Sequence, residues 1–367
     1  MRATSPLAIV LVALVELTST AVPPLDGAAQ RVASATRETA IDRVDEFIRA
    51  QMVSQRIPAL SLAIVKNGQV IKAQGYGVED LKRKTPATTE TVYKIASVSK
   101  QFIAAGVMLL AQEGRLTVDD PINQYLDAAP ANWQEITIRH ALTHTAGLVR
   151  EAPGFDPYKT QSDEEVIKSA YRVPLNSRPG EKYEYSNLGY FVLGQIISKL
   201  SGRSWNDYLF EKAFKPAGML KTRATHLAAA MAGRATGYSD NDKLQEVREW
   251  PASRPSGGFV STVMDLARWD AVLYTDKVLN ESTRQQMWTP FKLNNGSLSN
   301  YGFGWRLGSH RGRRIVFHGG GLPGAASEFA RFVDDRLTII LLMNLDDVDD
   351  ETLLYGVADV YLESRRN

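Results

Sequence analysis

The chain predicts an α+β fold: one antiparallel sheet flanked by N- and C-terminal helices, with an all-helical segment inserted between its strands. Three observations carry this. Two strand-like runs, Leu60 to Lys66 and Gln69 to Gly75, meet at Asn67-Gly68, the strongest short-range hairpin signal. Strand patterns then vanish until Arg314 to Phe317, Glu328 to Val333 and Leu337 to Met343, the last two joined across Asp334-Asp335. Between them, residues 117–255 read as short helices and loops.

Each element has a local cause. Ile41, Val44, Phe47, Ile48 and Met52 recur at helical spacing, so residues 37–54 form an amphipathic helix that stops before Pro58. A mostly apolar helix over 98–113 (Phe102, Ile103, Val107, Leu110) stops at Gly114. Ser162 and Glu165 form a capping box that opens a helix ending before Pro174. Leu188 to Leu200 is closed by Gly202, and Trp205 to Phe214 follows. Leu353, Leu354, Val357 and Tyr361 mark the closing helix. The sheet domain is therefore discontinuous, 31–116 plus 256–367, and the helical domain is 117–255. A cleft between two such units is the natural place for a site.

Composition limits the partners. The chain has 367 residues, 43 Lys plus Arg against 41 Asp plus Glu, and no run of like charge, so no footprint for nucleic acid or an anionic membrane is present. With no cysteine, thiol chemistry, disulfides and Cys-ligated zinc are excluded, and no ligand set for a metal or organic cofactor stands out. Arg2, the apolar run Leu7 to Leu17 and Ser19-Thr20-Ala21 form a signal-peptide pattern over 1–21, with a second cleavage possibility at Gly27-Ala28-Ala29. The run is too short, and interrupted by Glu16, to span a bilayer. The expected product is an exported, periplasmic or extracellular protein without a membrane span. Its oligomeric state is not legible.

No G-x-S-x-G, H-E-x-x-H or P-loop pattern occurs. A different serine apparatus remains. Ser97-Val98-Ser99-Lys100 sits where the apolar helix begins, placing Ser97 at a helix start and Lys100 one turn further on the same face. A serine hydroxyl needs a base within hydrogen-bond reach, and N–H groups at a helix start favour a developing oxyanion. The motif occurs once, and by itself it reads equally as a helix cap beside a solvated lysine. Tyr185-Ser186-Asn187 precedes the helix at Leu188. A tyrosine of ordinary pKa near 10 becomes a base at neutral pH only beside a cation, and Lys100 is available for that. Asn187 offers an amide to a substrate carbonyl or to Lys100. His318-Gly319-Gly320-Gly321 follows a strand, where consecutive glycines let a ligand approach the backbone and an N–H can complete an oxyanion hole with that of Ser97.

These motifs together resemble the serine β-lactamase and penicillin-binding-protein superfamily. The tyrosine in the second motif resembles the branch holding class C β-lactamases, D-alanyl-D-alanine carboxypeptidases, D-aminopeptidases and β-lactamase-like esterases. Thr143 to Leu148, Gly257 to Thr262, Tyr301 to Trp305 and His318 to Asn344 are also similar to that branch. The resemblance implies a β-lactamase/transpeptidase-like fold, with Ser97 acylated, and Lys100 as proton acceptor or pKa partner. It makes Tyr185 the base for acylation or for the deacylating water, and Asn187 a substrate and lysine contact. His318, Gly319 and Gly320 would bind substrate on an edge strand, with the Gly321 N–H as second oxyanion donor. It makes His144 structural. The third motif departs from Lys-Thr-Gly: Gly319 lacks a hydroxyl for a β-lactam carboxylate, and His318 carries less charge at neutral pH. The implied activity is hydrolysis of an ester, amide or D-amino-acid peptide through a serine acyl-enzyme. The alternatives are a true β-lactamase and a non-catalytic sensor of cell-wall fragments.

Overall fold

A computed structural model describes residues 42–229, 231–252 and 254–363. The signal pattern and the start of the first helix, 37–41, lie outside the described residues.

Helix α1 (42–54) leads into β1 (Ala59–Lys66) and β2 (Gln69–Asp80). Asn67 and Gly68 both have positive φ, 53° and 74°, as a two-residue hairpin loop of the expected kind requires. Strands β3 (Thr85–Pro86), β4 (Arg306–His310), β5 (Arg313–Leu322), β6 (Ala325–Phe332) and β7 (Leu337–Met343) complete an antiparallel sheet in the order β3-β2-β1-β7-β6-β5-β4. Every residue of β6 and β7 is buried, which explains their unbroken apolar runs: these central strands are covered on both faces. Leu60, Leu62, Ile64, Ile339, Leu341 and Met343 pack with Val44 and Ile48 of α1 and Leu353 and Val357 of the closing helix (Asp350–Glu363). The alternate residues Ala59, Ala63, Val65, Ile340 and Leu342 face helix α2 (Lys100–Gln112) and helix α4 (Val263–Val272). Alternation at period two assigns each strand residue to one of these layers.

The middle segment holds the expected capped helix (Asp163–Ser169) and helix α3 (Asn187–Ser201), which ends at Gly202 with φ 71°. It is not purely helical. Arg223–Ala224 joins Phe259–Ser261 and Tyr93–Lys94 in a small second sheet, and Tyr238–Asp240 pairs with Leu244–Glu246. Runs of two or three residues are too short to show alternation in sequence. The second sheet matters for the site, because it ties the chain just before Ser97 to the chain just after Ser256.

Strand β5 also differs from the expected Arg314 to Phe317: it runs on through the three glycines to Leu322, held in register by β6 (Gly319 opposite Glu328, Gly320 opposite Ser327). Strand β4 pairs with β5 only from Arg313 to Phe317. His318 to Leu322 thus forms a local edge, as the resemblance implies.

A buried carboxyl in the helical segment gives a pH test. Trp205 donates its indole N–H to Asp163 (2.8 Å), while the other carboxyl oxygen of Asp163 is buried without a partner. Burial pushes this carboxyl up to about 7 from its ordinary 3.8. The folded state then holds a proton that the unfolded state releases, so stability is full below the ordinary value and is lost as pH rises toward about 7. Asp163→Asn keeps an acceptor for Trp205 and cannot ionise. Its melting temperature relative to wild type should rise between about pH 5 and about pH 8; a constant difference would exclude this role.

Candidate active site

Ser97 lies in a 3-10 turn (Ala96–Ser99) that runs directly into α2, preceded by a residue, Ala96, at φ 43°. In a 3-10 turn residues three apart eclipse one another, so Ser97 and Lys100 stack on one side. The hydroxyl of Ser97 caps neither helix. Instead Lys100 Nζ lies 3.1 Å from Ser97 Oγ, and Tyr185 Oη donates to the same oxygen at 2.9 Å. The neighbouring Ser99 is buried and accepts from the Phe259 N–H at 3.2 Å, which fastens the turn to the second sheet.

Lys100 is wholly buried. Its ammonium reaches Asn187 Oδ1 (2.8 Å) and the Ser256 carbonyl (2.5 Å) and lies 4.8 Å from the centre of the Tyr185 ring. Asn187 therefore presents its oxygen to Lys100, since an ammonium can only donate, and its amide N–H₂ donates to Glu151. Arg254 holds the same Glu151 oxygen at 2.6 Å. Burial, then the positive charges of Arg254, Arg150 and Arg306, push Lys100 well below the usual lysine range, with Glu151 opposing. Burial pushes Tyr185 the other way, up to about 12, although its bond to Ser97 and the arginines pull it down. Burial thus favours a lysine that gives up its proton more readily than usual and a tyrosine that keeps its own.

Ser186 is the N-cap of α3: its hydroxyl accepts from the Gly189 N–H (3.1 Å) and donates to the Val149 carbonyl (2.8 Å). The cap fixes where Tyr185 leaves the helix. His144 supports Tyr185 from behind. Its ring centre lies 4.2 Å from that of Tyr185, and its Nδ1 accepts from the Ser186 N–H at 3.1 Å, in keeping with a structural role.

On β5, His318 Nδ1 lies 2.6 Å from the Gly319 carbonyl and Nε2 lies 2.8 Å from Tyr301 Oη. A carbonyl only accepts, so the proton sits on Nδ1 and Nε2 accepts from the tyrosine. Burial and then the charge of Lys100 hold His318 well below the usual histidine range. It is neutral. Gly320 is pressed against the turn of Ser97: a Cβ there would come within 2.7 Å of both the Ser97 nitrogen and the Ile95 carbonyl. Gly319 faces a different neighbour: a Cβ there would come within 2.0 Å of the carboxyl end of the Glu328 side chain, which would have to move. A small hollow of about 20 Å³ lies between Trp250, Ala252, Gly257, Gly258 and Leu322, and Gly257 backs onto Ala96, so this space adjoins the turn of Ser97.

Residues 44–362 match the Beta-lactamase family. The chain is 33% identical over 324 residues to Penicillin-binding protein 4* of Bacillus subtilis (strain 168), covering 80% of this chain and 71% of that protein. The chain belongs to the beta-lactamase family. Among solved structures, the octameric penicillin-binding protein homologue from Pyrococcus abyssi superposes with a TM-score of 0.79 at 26% identity, over 88% of this chain and 77% of that one. The D-amino acid amidase from Ochrobactrum anthropi SV3 gives 0.71 at 27% identity, over 85% and 97%. With this family membership and its serine, lysine and tyrosine in contact, the chain is a serine hydrolase of the beta-lactamase-related class.

All three sequence motifs converge here. Glu151, Arg254 and Ser256 complete the beta-lactamase-family site and carried no signal of their own, and Tyr301 joins them from the stretch Tyr301 to Trp305. Glu151 and Arg254 sit in loops whose conformation no local pattern specifies.

Proposed function

We propose that the protein hydrolyses an ester or amide, with D-amino-acid derivatives as the amide class, through an acyl-enzyme on Ser97. The observation that carries this is the double engagement of Ser97 Oγ by Lys100 and Tyr185. Neutral Lys100 takes the hydroxyl proton as Ser97 Oγ bonds to the substrate carbonyl carbon. The N–H groups of Ser97 and Gly321 receive the negative charge that develops on the carbonyl oxygen. The bond to the leaving group breaks as Tyr185 gives that group its proton, and Lys100 returns a proton to Tyr185. Water then attacks the acyl-enzyme, its proton goes to the same pair, and the acid leaves as Ser97 is restored. Asn187 orients Lys100 throughout. A neutral His318 and a bare Gly319 weigh against efficient β-lactam turnover. The relative with amidase activity supports the D-amino-acid class, and the N-terminal signal pattern supports export.

Reaction with a fluorophosphonate followed by peptide mass mapping tests this. One adduct is expected, on Ser97. Ester turnover without any adduct on Ser97 would overturn the assignment, and the absence of both adduct and turnover would leave the sensor reading for the fold.

A further inference from the structure

Two routes fix the position of Lys100, and both run back to Arg254. On one side Lys100 Nζ donates to Asn187 Oδ1 (2.8 Å), the amide N–H₂ of Asn187 donates to Glu151 Oε1, and Arg254 donates to that same oxygen at 2.6 Å. On the other side Nζ donates to the carbonyl of Ser256 (2.5 Å), two residues beyond Arg254 in the chain. An ammonium has three N–H donors, so these two bonds leave one, which meets Ser97 Oγ at 3.1 Å.

The orientation of the Asn187 amide decides whether Lys100 can act. Its oxygen and nitrogen ends have nearly the same shape, so only their partners choose between them. Turned over, the amide would give an N–H to the lone pair of neutral Lys100, the same lone pair that must take the proton of Ser97. Glu151 prevents this, because a carboxylate paired with a guanidinium only accepts and so keeps the N–H₂ end. Glu151 is itself tied down by the ion pair: its side chain is 41% exposed, whereas that of Arg254 is only 10% exposed. The Arg254 guanidinium in turn lies 4.7 Å from the ring centre of Phe155 and 5.8 Å from that of Trp250. Its backbone carbonyl accepts from the Gly257 N–H (3.1 Å), and Gly258 packs so closely that a Cβ there would come within 2.5 Å of the same oxygen. The turn that carries the Ser256 carbonyl is therefore closed on Arg254.

We propose that Arg254 is a positioning residue for the reaction: through Glu151 it keeps the Asn187 oxygen turned to Lys100, and through its own turn it keeps the Ser256 carbonyl there, so that Nζ stays aimed at Ser97 Oγ. This rests on the acyl-enzyme reading above. Charge adds to geometry. After burial, Arg254 does most to push Lys100 below the usual lysine range, Arg150 and Arg306 act with it, and Glu151 opposes them. The other groups facing Lys100 are the rings of Tyr185 and Tyr190, 4.8 Å and 5.3 Å from Nζ, and the buried His144 and His318. Burial holds both tyrosines high and both histidines low, which leaves Lys100 to set the acid limb of the rate.

Profiles of kcat and KM against pH for a p-nitrophenyl ester test this, with circular dichroism to check the fold. Arg254→Gln should lower kcat by about tenfold or more with little change in KM, and should move the acid limb to higher pH by about half a unit or more. Arg254→Lys should return the limb toward its wild-type place and restore part of kcat. Glu151→Gln keeps an oxygen for Asn187 and Arg254 but loses the opposing charge, so its limb should move to lower pH. A purely structural role would lower kcat without displacing the two limbs in opposite directions; that result, or a wild-type profile in Arg254→Gln, overturns the proposal while leaving Ser97 as nucleophile. Should Arg254→Gln fail to fold, Glu151→Ala decides, since it frees the Asn187 amide: a kcat within about twofold of wild type overturns the proposal. No turnover and no fluorophosphonate adduct in the wild type overturns the hydrolase reading and the positioning role together.

Discussion

Ser97→Ala should lower kcat/KM for a p-nitrophenyl ester by at least about a thousandfold, and Lys100→Met should do nearly as much. Both effects follow from one contact. The hydroxyl is a weak nucleophile until its proton has somewhere to go, and Lys100 is 3.1 Å away in an environment that favours its neutral form. Methionine fills the buried space of Lys100 without a charge, so far-ultraviolet circular dichroism should match wild type. Because the two residues act as one unit, Ser97→Ala/Lys100→Met should be no worse than the poorer single variant, where independent contributions would multiply. The wild-type rate should also rise with pH on its acid limb, as Lys100 loses its proton, and reach its plateau well below the ordinary lysine pKa. A Lys100→Met enzyme with near-wild-type kcat would refute the proton path.

The largest effect on stability should come from a pair distant from the chemistry. Asp270 on α4 accepts from Arg331 Nε (2.8 Å) and from the Thr338 hydroxyl (2.7 Å), and both side chains of the ion pair are almost completely inaccessible. Arg331 lies between the rings of Tyr274 and Trp288, 4.7 Å and 4.8 Å from their centres. Asp270→Ala leaves a guanidinium buried with no counter-charge, which should cost about 3–5 kcal/mol of unfolding free energy in urea titrations. Replacing both partners by apolar residues of similar volume, Asp270→Leu/Arg331→Met, should recover much of the loss. If Asp270→Ala loses less than about 1 kcal/mol, the pair is not holding α4 to the sheet.

How far the sequence could be read depends on the range of each interaction. The Asn67-Gly68 hairpin, the Ser162–Glu165 box and the Gly202 stop were legible because each is closed within a few residues. Ser97 and Lys100 were legible for the same reason, being three apart on one turn. Tyr185 could be named as a candidate beside Lys100, but not placed on Ser97, because its hydrogen bond to Ser97 crosses 88 positions. Gly319 shows what local reading misses. In sequence it is the loss of a hydroxyl; in the sheet it lies opposite Glu328, whose carboxyl occupies the space a side chain would take, and nothing short of the β5–β6 register reveals that. The glycines also hid the true length of β5. Low strand propensity argued for an early stop, and pairing with β6 overrode it.

The pairing of β1 with β7 has a consequence for how the molecule is made. Leu60 lies opposite Met343, and the Ala59 N–H bonds to Asn344 across 285 positions. The β1–β2 hairpin emerges early from synthesis with an apolar face and one unpaired side, and the strand that completes it comes almost last. Closing so long a loop makes the centre of the sheet a late and slow step, during which the hairpin needs protection from pairing with other chains.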